Sequence, residues 1–307
     1  MPPPVSLVDR RRIARARLLV QGPGSGDFDS DDFGPYGIST ALECYCTHLA
    51  TRPVAPFAAE KTPLGERDIT QLLRATFAIG SRIGDLLTRL HMIEWMRLQF
   101  AEIDDPQSRG WSRFASLAIK DFHVDAVSLL DAVALVVIRA SCVVVEDSPT
   151  GWLPGWPHLV GRPYAAKLPQ NVRDLVVALD EAWADHVREI RNLITHREHE
   201  RVVFHGAGVG TYFQIYEGGS APQILDPRLL DPKAHNVVNF ALYSAFVLGE
   251  LLVFFEDLGL ALAMNDGVGR ATLNAMTRLG DFSVFVDGLD ALLAITRNTS
   301  CSSERNP

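Results

Sequence analysis

Apolar residues return every three or four positions over most of this chain, and only one short stretch alternates. Between Arg67 and Ile103, Leu72, Leu73, Phe77, Ile83, Leu86, Leu87, Leu90, Ile93, Trp95 and Met96 keep helical spacing, with Gly80 and Gly84 as places where the helix can bend or divide. Trp111 to Val145 predicts a second long helix. A connection from Glu146 to Gln170 holds Pro149, Pro154, Pro157, Pro163 and Pro169, and its Trp152 and Trp156 read as docking hydrophobes. Asn171 to Glu200 predicts a third helix. The segment RVVFHGAGVGTYFQIYEG then alternates and is split by glycines, which predicts a β-hairpin of Arg201 to Phe204 and Thr211 to Tyr216. Gly206 to Gly210 opens no helix afterwards, so it reads as a turn and not a nucleotide loop. Two more helices, Pro232 to Met264 and Val268 to Arg297, complete the pattern. The expected fold class is all-α with one small inserted hairpin.

The segments divide the chain into a flexible lead-in (1–37), an N-terminal helical extension (38–110), a helical core (111–265), a C-terminal helix (266–297) and a tail (298–307). No internal repeat is visible. Hydrophobic residues make up 47% of the 307 positions and charged residues 21%, the composition of a globular protein. Val237 to Gly249 and Ala126 to Val145 are the most apolar runs. Glu250, Glu256 and Asp257 follow the first, and Asp131 and Arg139 interrupt the second. Neither reaches the roughly 20 clean residues of a membrane span, so both read as core helices and no membrane partner is expected. The opening MPPPVSLVDRRRIARAR lacks an apolar stretch with a cleavage site, so the expected location is cytoplasmic.

Charge narrows the function classes. The net charge of −8 excludes a general nucleic-acid coat, so any RNA contact must come from a local patch. Asp27, Asp29 and Asp31 imitate the start of a calcium loop, but Asp32 stands where that loop needs Gly and Ile38 where it needs Glu. Cys44, Cys46 and His48 have no second ligand pair nearby, so neither a metal nor another cofactor is expected.

The third helix carries the chemistry. At 100° per residue its apolar face runs through Val172, Val176, Leu179, Trp183, Val187, Ile190 and Ile194, while Arg188, Arg191, Asn192, Thr195, His196 and His199 share the opposite arc. Four Arg and four of the chain's nine His fall between His186 and His205, against three Glu. On the second helix Asp121, Asp125 and Ser128 form a stripe with Asp131 at its flank. Carboxylates on a mostly buried helix need partners, and the expected pairing is Asp131 or Asp125 with Arg191. Two readings of the basic arc stay open beside a catalytic one. It can be a binding or protein-interaction face that uses Arg188, Arg191 and Arg197 together, or a metal site built from His186, His196, His199 and His205. Against the last, His186 lies on the apolar side, about 80° from His196.

Arg191-Asn192 followed after four intervening positions from the arginine by His196, late in a long helix, resembles the signature of the HEPN superfamily. The acidic second helix with Ser128-Leu129-Leu130-Asp131-Ala132 is similar to the first core helix of several HEPN groups, and the resemblance covers about residues 111 to 265. It implies a helical bundle of HEPN type and a metal-independent endoribonuclease. It further implies a homodimer that brings two motifs together, with RNA and not DNA as substrate, and for toxin or defence members a neutralising antitoxin. His196 would move protons, Arg191 would stabilise phosphate charge, Asn192 would orient His196 or bind phosphate, and Asp131 would hold Arg191. It equally implies the alternative of a non-catalytic dimeric RNA-binding or protein-interaction module. The first 110 residues, the Pro/Trp connection and the C-terminal helix have no counterpart in a minimal bundle of that type.

Overall fold

A helix that is apolar on every side has to be covered on every side, and residues Phe240–Asn265 form such a helix at the centre of the molecule. In the computed structural model of the chain the residues described are 10–21, 36–51, 66–100, 109–141, 155–161, 164–196, 203–206, 210–214, 229–231, 234–269, 278–280 and 282–303. In chain order the helices are α1 (Arg10–Leu19), α2 (Ala41–Thr51), α3 (Glu66–Phe100), α4 (Arg109–Ala140), α5 (Trp156–Val160), α6 (Gln170–Leu179), α7 (Asp185–His196), α8 (Phe240–Asn265) and α9 (Ser283–Ser303). The fold is mostly helical. Among the described residues no helix is long and apolar enough to cross a membrane.

Phe240 and every residue from Tyr243 to Glu256 are buried in α8. Asn239 caps the helix by accepting a 3.1 Å hydrogen bond from Leu242 N. Two carboxylates lie inside this apolar wall, and each has a partner, as burial demands. Glu250 meets Arg12 at 2.6 Å, and Glu256 Oε2 accepts from Ala41 N at 2.8 Å, which caps the start of α2. One turn further, a Cβ on Gly259 would run into the backbone of Ala41 and Leu42, so glycine is what lets α2 lie against α8.

Within the stretch read as a lead-in (1–37), the described residues 10–21 and 36–37 are packed on the rest of the fold. α1 buries Ile13 and Ala16 and packs across α8 and α9. Its arginines reach carboxylates on both: Arg12 to Glu250, Arg15 to Asp257 at 2.7 Å, and Arg17 to Asp290 at 2.6 Å. The strand after it, β1 (Val20–Gln21), pairs with β2 (Tyr36–Ile38), and β2 pairs with β7 (Arg278–Gly280) in an antiparallel three-stranded sheet.

α3 and α4 run antiparallel as a long pair. α3 continues through Gly80 and Gly84 without dividing. Polar contacts fix its register on α4: Arg139 to Gln71 at 2.7 Å, Arg82 to Asp125 at 2.6 Å, and Arg89 to Asp125 at 2.7 Å and to Asp121 at 3.3 Å. The expected boundary between an extension (38–110) and a core (111–265) therefore falls inside one packed unit, and a single hydrophobic cluster runs from Ile13 to Leu292.

The predicted hairpin is present as β3 (Val203–Gly206) and β4 (Gly210–Gln214), with Val203 opposite Phe213. It does not stand alone. β6 (Ala234–Asn239) pairs with β4, and β5 (Leu230–Asp231) pairs with β6, giving the order β3-β4-β6-β5. The stretch expected to open a helix at Pro232 is thus partly strand: Val237 and Val238 suit an extended backbone, and the cap at Asn239 starts the helix. The expected helix from Val268 likewise gives way to β7 before α9, which begins at Ser283 and continues to Ser303, past Arg297 and into the expected tail. Phe122, His123, Phe213, Phe240 and Tyr243 stack edge-on and face-on to join the sheet to α4 and α8. His123 is fully buried within them. Its Nδ1 lies 2.7 Å from Ile119 O, an acceptor only, so Nδ1–H donates there and Nε2 accepts from Tyr243 Oη at 2.9 Å. The calcium-like run Asp27 to Asp32 and Trp152 lie outside the described residues.

Candidate functional site

The predicted third helix is α6 and α7 joined end to end through one wide π-helical turn, Asp180–Ala184. Such a turn inserts one residue into the helical count. In a regular helix Asp180 and Arg188, eight apart, would point about 80° apart; with one residue absorbed they stand about 20° apart, on one stripe. Arg188 Nη2 accordingly reaches Asp180 Oδ1 at 3.6 Å and also pairs with Asp185 one turn before it. Asp180 Oδ1 also accepts a hydrogen bond, 2.8 Å from Trp156 Nε1.

Trp156 is fully buried against Phe254, with ring centroids 5.8 Å apart, so this tryptophan does serve as the anchor of the proline-rich connection. Its backbone N–H donates to Asp131 Oδ1 at 2.8 Å. A Cβ on the preceding residue, Gly155, would stand 2.5 Å from that same oxygen, which is why glycine opens α5. A polar girdle thus links Asp131 on α4, Trp156 on α5, Asp180 in the wide turn and Arg188 on α7.

This girdle corrects the expected role of Asp131. The aspartate does not hold Arg191; it holds Trp156. Asp125 does not hold Arg191 either, because Arg82 and Arg89 of α3 occupy both of its oxygens. Arg191 is half-buried, Asn192 is exposed, and no carboxylate among the described residues pairs with Arg191. His196 closes α7, and the side chains of Leu193 to His196 lie outside the described residues, as do Arg197 and His199. The structure therefore brings Arg191 and Asn192 onto one accessible flank of α7 and pairs Asp131 with Trp156 instead.

Two other candidates resolve as follows. Cys44 and Cys46 are buried on α2, and burial pushes the Cys46 thiol up to about 12, far from the thiolate that binds metals. Among the described residues no group of three or more His, Cys, Asp or Glu is arranged to hold a metal ion. His186 is half-buried on the side of α7 away from Arg188. Burial lowers its pKa first, with Glu189 at 3.6 Å and Asp185 pulling the other way.

Sequence reasoning missed Asp180, the wide turn, and Arg82 and Arg89 as the partners of Asp125. The last had a signal. Arg82 and Arg89 recur seven apart on a helix joined by a short connection to the helix that carries Asp121 and Asp125 four apart, and consecutive helices are usually neighbours. Comparison of the chain with protein-family models, curated proteins and solved structures finds no match.

Proposed function

We propose that the polar flank of α7 cleaves RNA without a metal ion, as a helical bundle of HEPN type acting as a homodimer. The observation that carries this reading is the contrast between two arginines one turn apart. Arg188 is neutralised by Asp180 and Asp185, whereas Arg191, beside the exposed Asn192, keeps a charge that no described carboxylate offsets. A guanidinium left uncompensated on a protein of net charge −8 is suited to the non-bridging oxygens of a phosphodiester.

The chemistry follows from the substrate. RNA supplies its own nucleophile, so the protein needs only to move protons and to stabilise charge. His196 takes the proton from the 2′-hydroxyl, and the oxygen attacks the adjacent phosphorus. The 5′-oxygen leaves with a proton returned by an imidazolium, giving a 2′,3′-cyclic phosphate and a 5′-hydroxyl. Arg191 binds the phosphate oxygens through the pentavalent state, and Asn192 bonds the phosphate or orients His196. Arg191 and His196 of one copy point about 140° apart on a regular helix, so the phosphate is held between Arg191 of one copy and His196 of another. DNA, which lacks the 2′-hydroxyl, is not a substrate in this reading.

The test is incubation of the purified chain with mixed RNA in excess EDTA. Wild type is expected to leave 2′,3′-cyclic ends, and His196→Ala to lose roughly 10²–10⁴ in rate with an unchanged melting temperature. Wild-type rates in His196→Ala would remove the catalytic role. RNA retained but intact would leave α7 as a binding face only.

A further inference from the structure

α6 and α7 do not share one helical register in this structure, although their apolar spacing allows it. On a regular helix, Val187, Ile190 and Ile194 fall within about 60° of the middle of the stripe set by Val172, Val176 and Leu179. The wide turn Asp180–Ala184 absorbs one residue and so turns α7 by about 100° from that continuation. Ala184 records the turn: about 110° off the α6 stripe on a regular helix, it is fully buried here. Arg191 is affected in the same way. On a regular helix it stands about 90° off the stripe; the wide turn carries it into line with the stripe, and it is half-buried there.

The wide register leaves polar groups unserved. Trp183 Nε1, His186 Nδ1 and Arg188 Nε are all buried with no hydrogen-bond partner among the described residues. Buried polar groups are nearly always bonded, so three such atoms within six residues mean that this register is held against a cost at the turn itself. Asp180 holds it. Its Oδ1 accepts from Trp156 Nε1 at 2.8 Å and stands 3.6 Å from Arg188 Nη2. The Trp156 bond lies on the α6 side of the turn and is independent of the register. The Arg188 contact is not, because on a regular helix Asp180 and Arg188 point about 80° apart. Glu181, exposed in this structure, is seven residues before Arg188, and on a regular helix the two point about 20° apart. Adjacent carboxylates therefore offer Arg188 one partner in each register, while Asp185, on α7 itself, follows it in both.

We propose that α7 is a two-register helix, with Asp180 and Glu181 as alternate catches on Arg188. In the wide register Asp180 holds Arg188, and Arg191 lies in line with the buried stripe of α6. In the regular register Glu181 holds Arg188, α7 turns by about 100°, and Arg191 moves out to the border of the core face, within reach of a phosphodiester. A phosphodiester that binds Arg191 favours the regular register by that difference in access. The consequence for cleavage rests on the RNA-cleaving reading; the two registers do not.

Modification of arginines by phenylglyoxal, read residue by residue by mass spectrometry on the full chain without RNA, tests the registers. Asp180→Asn keeps an oxygen for Trp156 Nε1 and removes the charge that draws Arg188, so Arg191 should react about fivefold faster than in wild type, the worth of one partly exposed ion pair. Glu181→Gln should slow it by a similar factor. Arg74, exposed on α3, is the internal reference and should not change. Glu181 is exposed, so its variant should keep the wild-type melting temperature whatever Asp180→Asn does to folding. Equal Arg191 rates in wild type and Glu181→Gln overturn the proposal. So do two variants that shift the rate in the same direction. With RNA in excess EDTA, cleavage should rise in Asp180→Asn and fall in Glu181→Gln. Opposed Arg191 rates with no cleavage by any of the three chains leave the registers standing and remove the ribonuclease reading, whereas cleavage with one Arg191 rate in all three does the reverse.

Discussion

Two segments of this protein are rich in arginine, and the structure uses them in opposite ways. α1 carries Arg10, Arg11, Arg12, Arg15 and Arg17 within eight residues, the more basic of the two by any count. Yet Arg12, Arg15 and Arg17 close on carboxylates of α8 and α9, so its charge holds the chain together. α7 has fewer arginines, of which one is neutralised and one is not. Local charge density in a sequence therefore does not identify a ligand surface. On the proposed reading, Arg191 marks one because no described carboxylate pairs with it and the exposed Asn192 stands beside it.

The largest expected effect tests this contrast within α7. Arg191→Ala should lower the rate of RNA cleavage by about 10²–10³, as loss of a charge-stabilising donor does, and leave stability unchanged. Arg188→Ala should behave the other way, losing about 1–2 kcal/mol of stability with its two carboxylate contacts while cleavage stays within about tenfold. Comparing single-turnover rates with urea midpoints for the two variants checks both. Equal loss of cleavage in both would mean that the flank works as one diffuse basic surface.

Next in size is Arg12→Ala. Its partner Glu250 is 6% exposed inside α8, and removing one member of a fully buried pair costs about 3–5 kcal/mol. Arg12 itself keeps 39% of its side chain in water, so the expected loss is about 2 kcal/mol. Glu250→Gln in the Arg12→Ala background should restore part of it, because a neutral amide is buried at lower cost than a carboxylate. Arg17→Ala should cost no more than about 0.5 kcal/mol, since Arg17 and Asp290 are both about half exposed. A large loss there would mean that α1 is held by its charges more than by Ile13 and Ala16.

The contrast also explains what the sequence could and could not reveal. Helical spacing is a local property, so α3, α4 and the α6–α7 helix were legible within a few residues of their ends, and so was the β3–β4 hairpin. Partners are not local. Arg12 meets Glu250 across more than two hundred residues, and nothing near Arg12 announces it. The facing of Asp125 toward a partner was legible, but its choice of Arg82 and Arg89 over Arg191 depends on which helix packs on that stripe. The start of α8 was missed because short-range signals competed: Val237 and Val238 continue an apolar run that reads as helix, and the bonds to β4 and β5 make them strand. The wide turn at Asp180 leaves the apolar spacing around Trp183 intact, so periodicity gives no trace of it. Of the candidate site, Arg191 and Asn192 were legible as a polar flank; the diversion of Asp131 to Trp156 was not.

The smallest expected effect concerns His186, on the side of α7 away from Arg188. Its Nδ1 is buried without a hydrogen-bond partner, since Glu189 at 3.6 Å is too distant to accept one. Desolvation disfavours the imidazolium, so the folded-state pKa lies below that of the unfolded chain, near 6.5. Between those two values the unfolded chain binds more protons, and stability must rise with pH there. The contribution is fully present above about pH 6.5 and is lost as pH falls through the folded-state pKa. Urea midpoints measured from neutral pH down to about 5, the lower end of the range in which histidine changes charge, should decline for wild type. They should decline less for His186→Gln, which cannot be protonated. A steeper decline in the variant would mean that Glu189 and Asp185 outweigh burial, and that the carboxylates near the start of α7 act on this histidine as Asp180 and Asp185 act on Arg188.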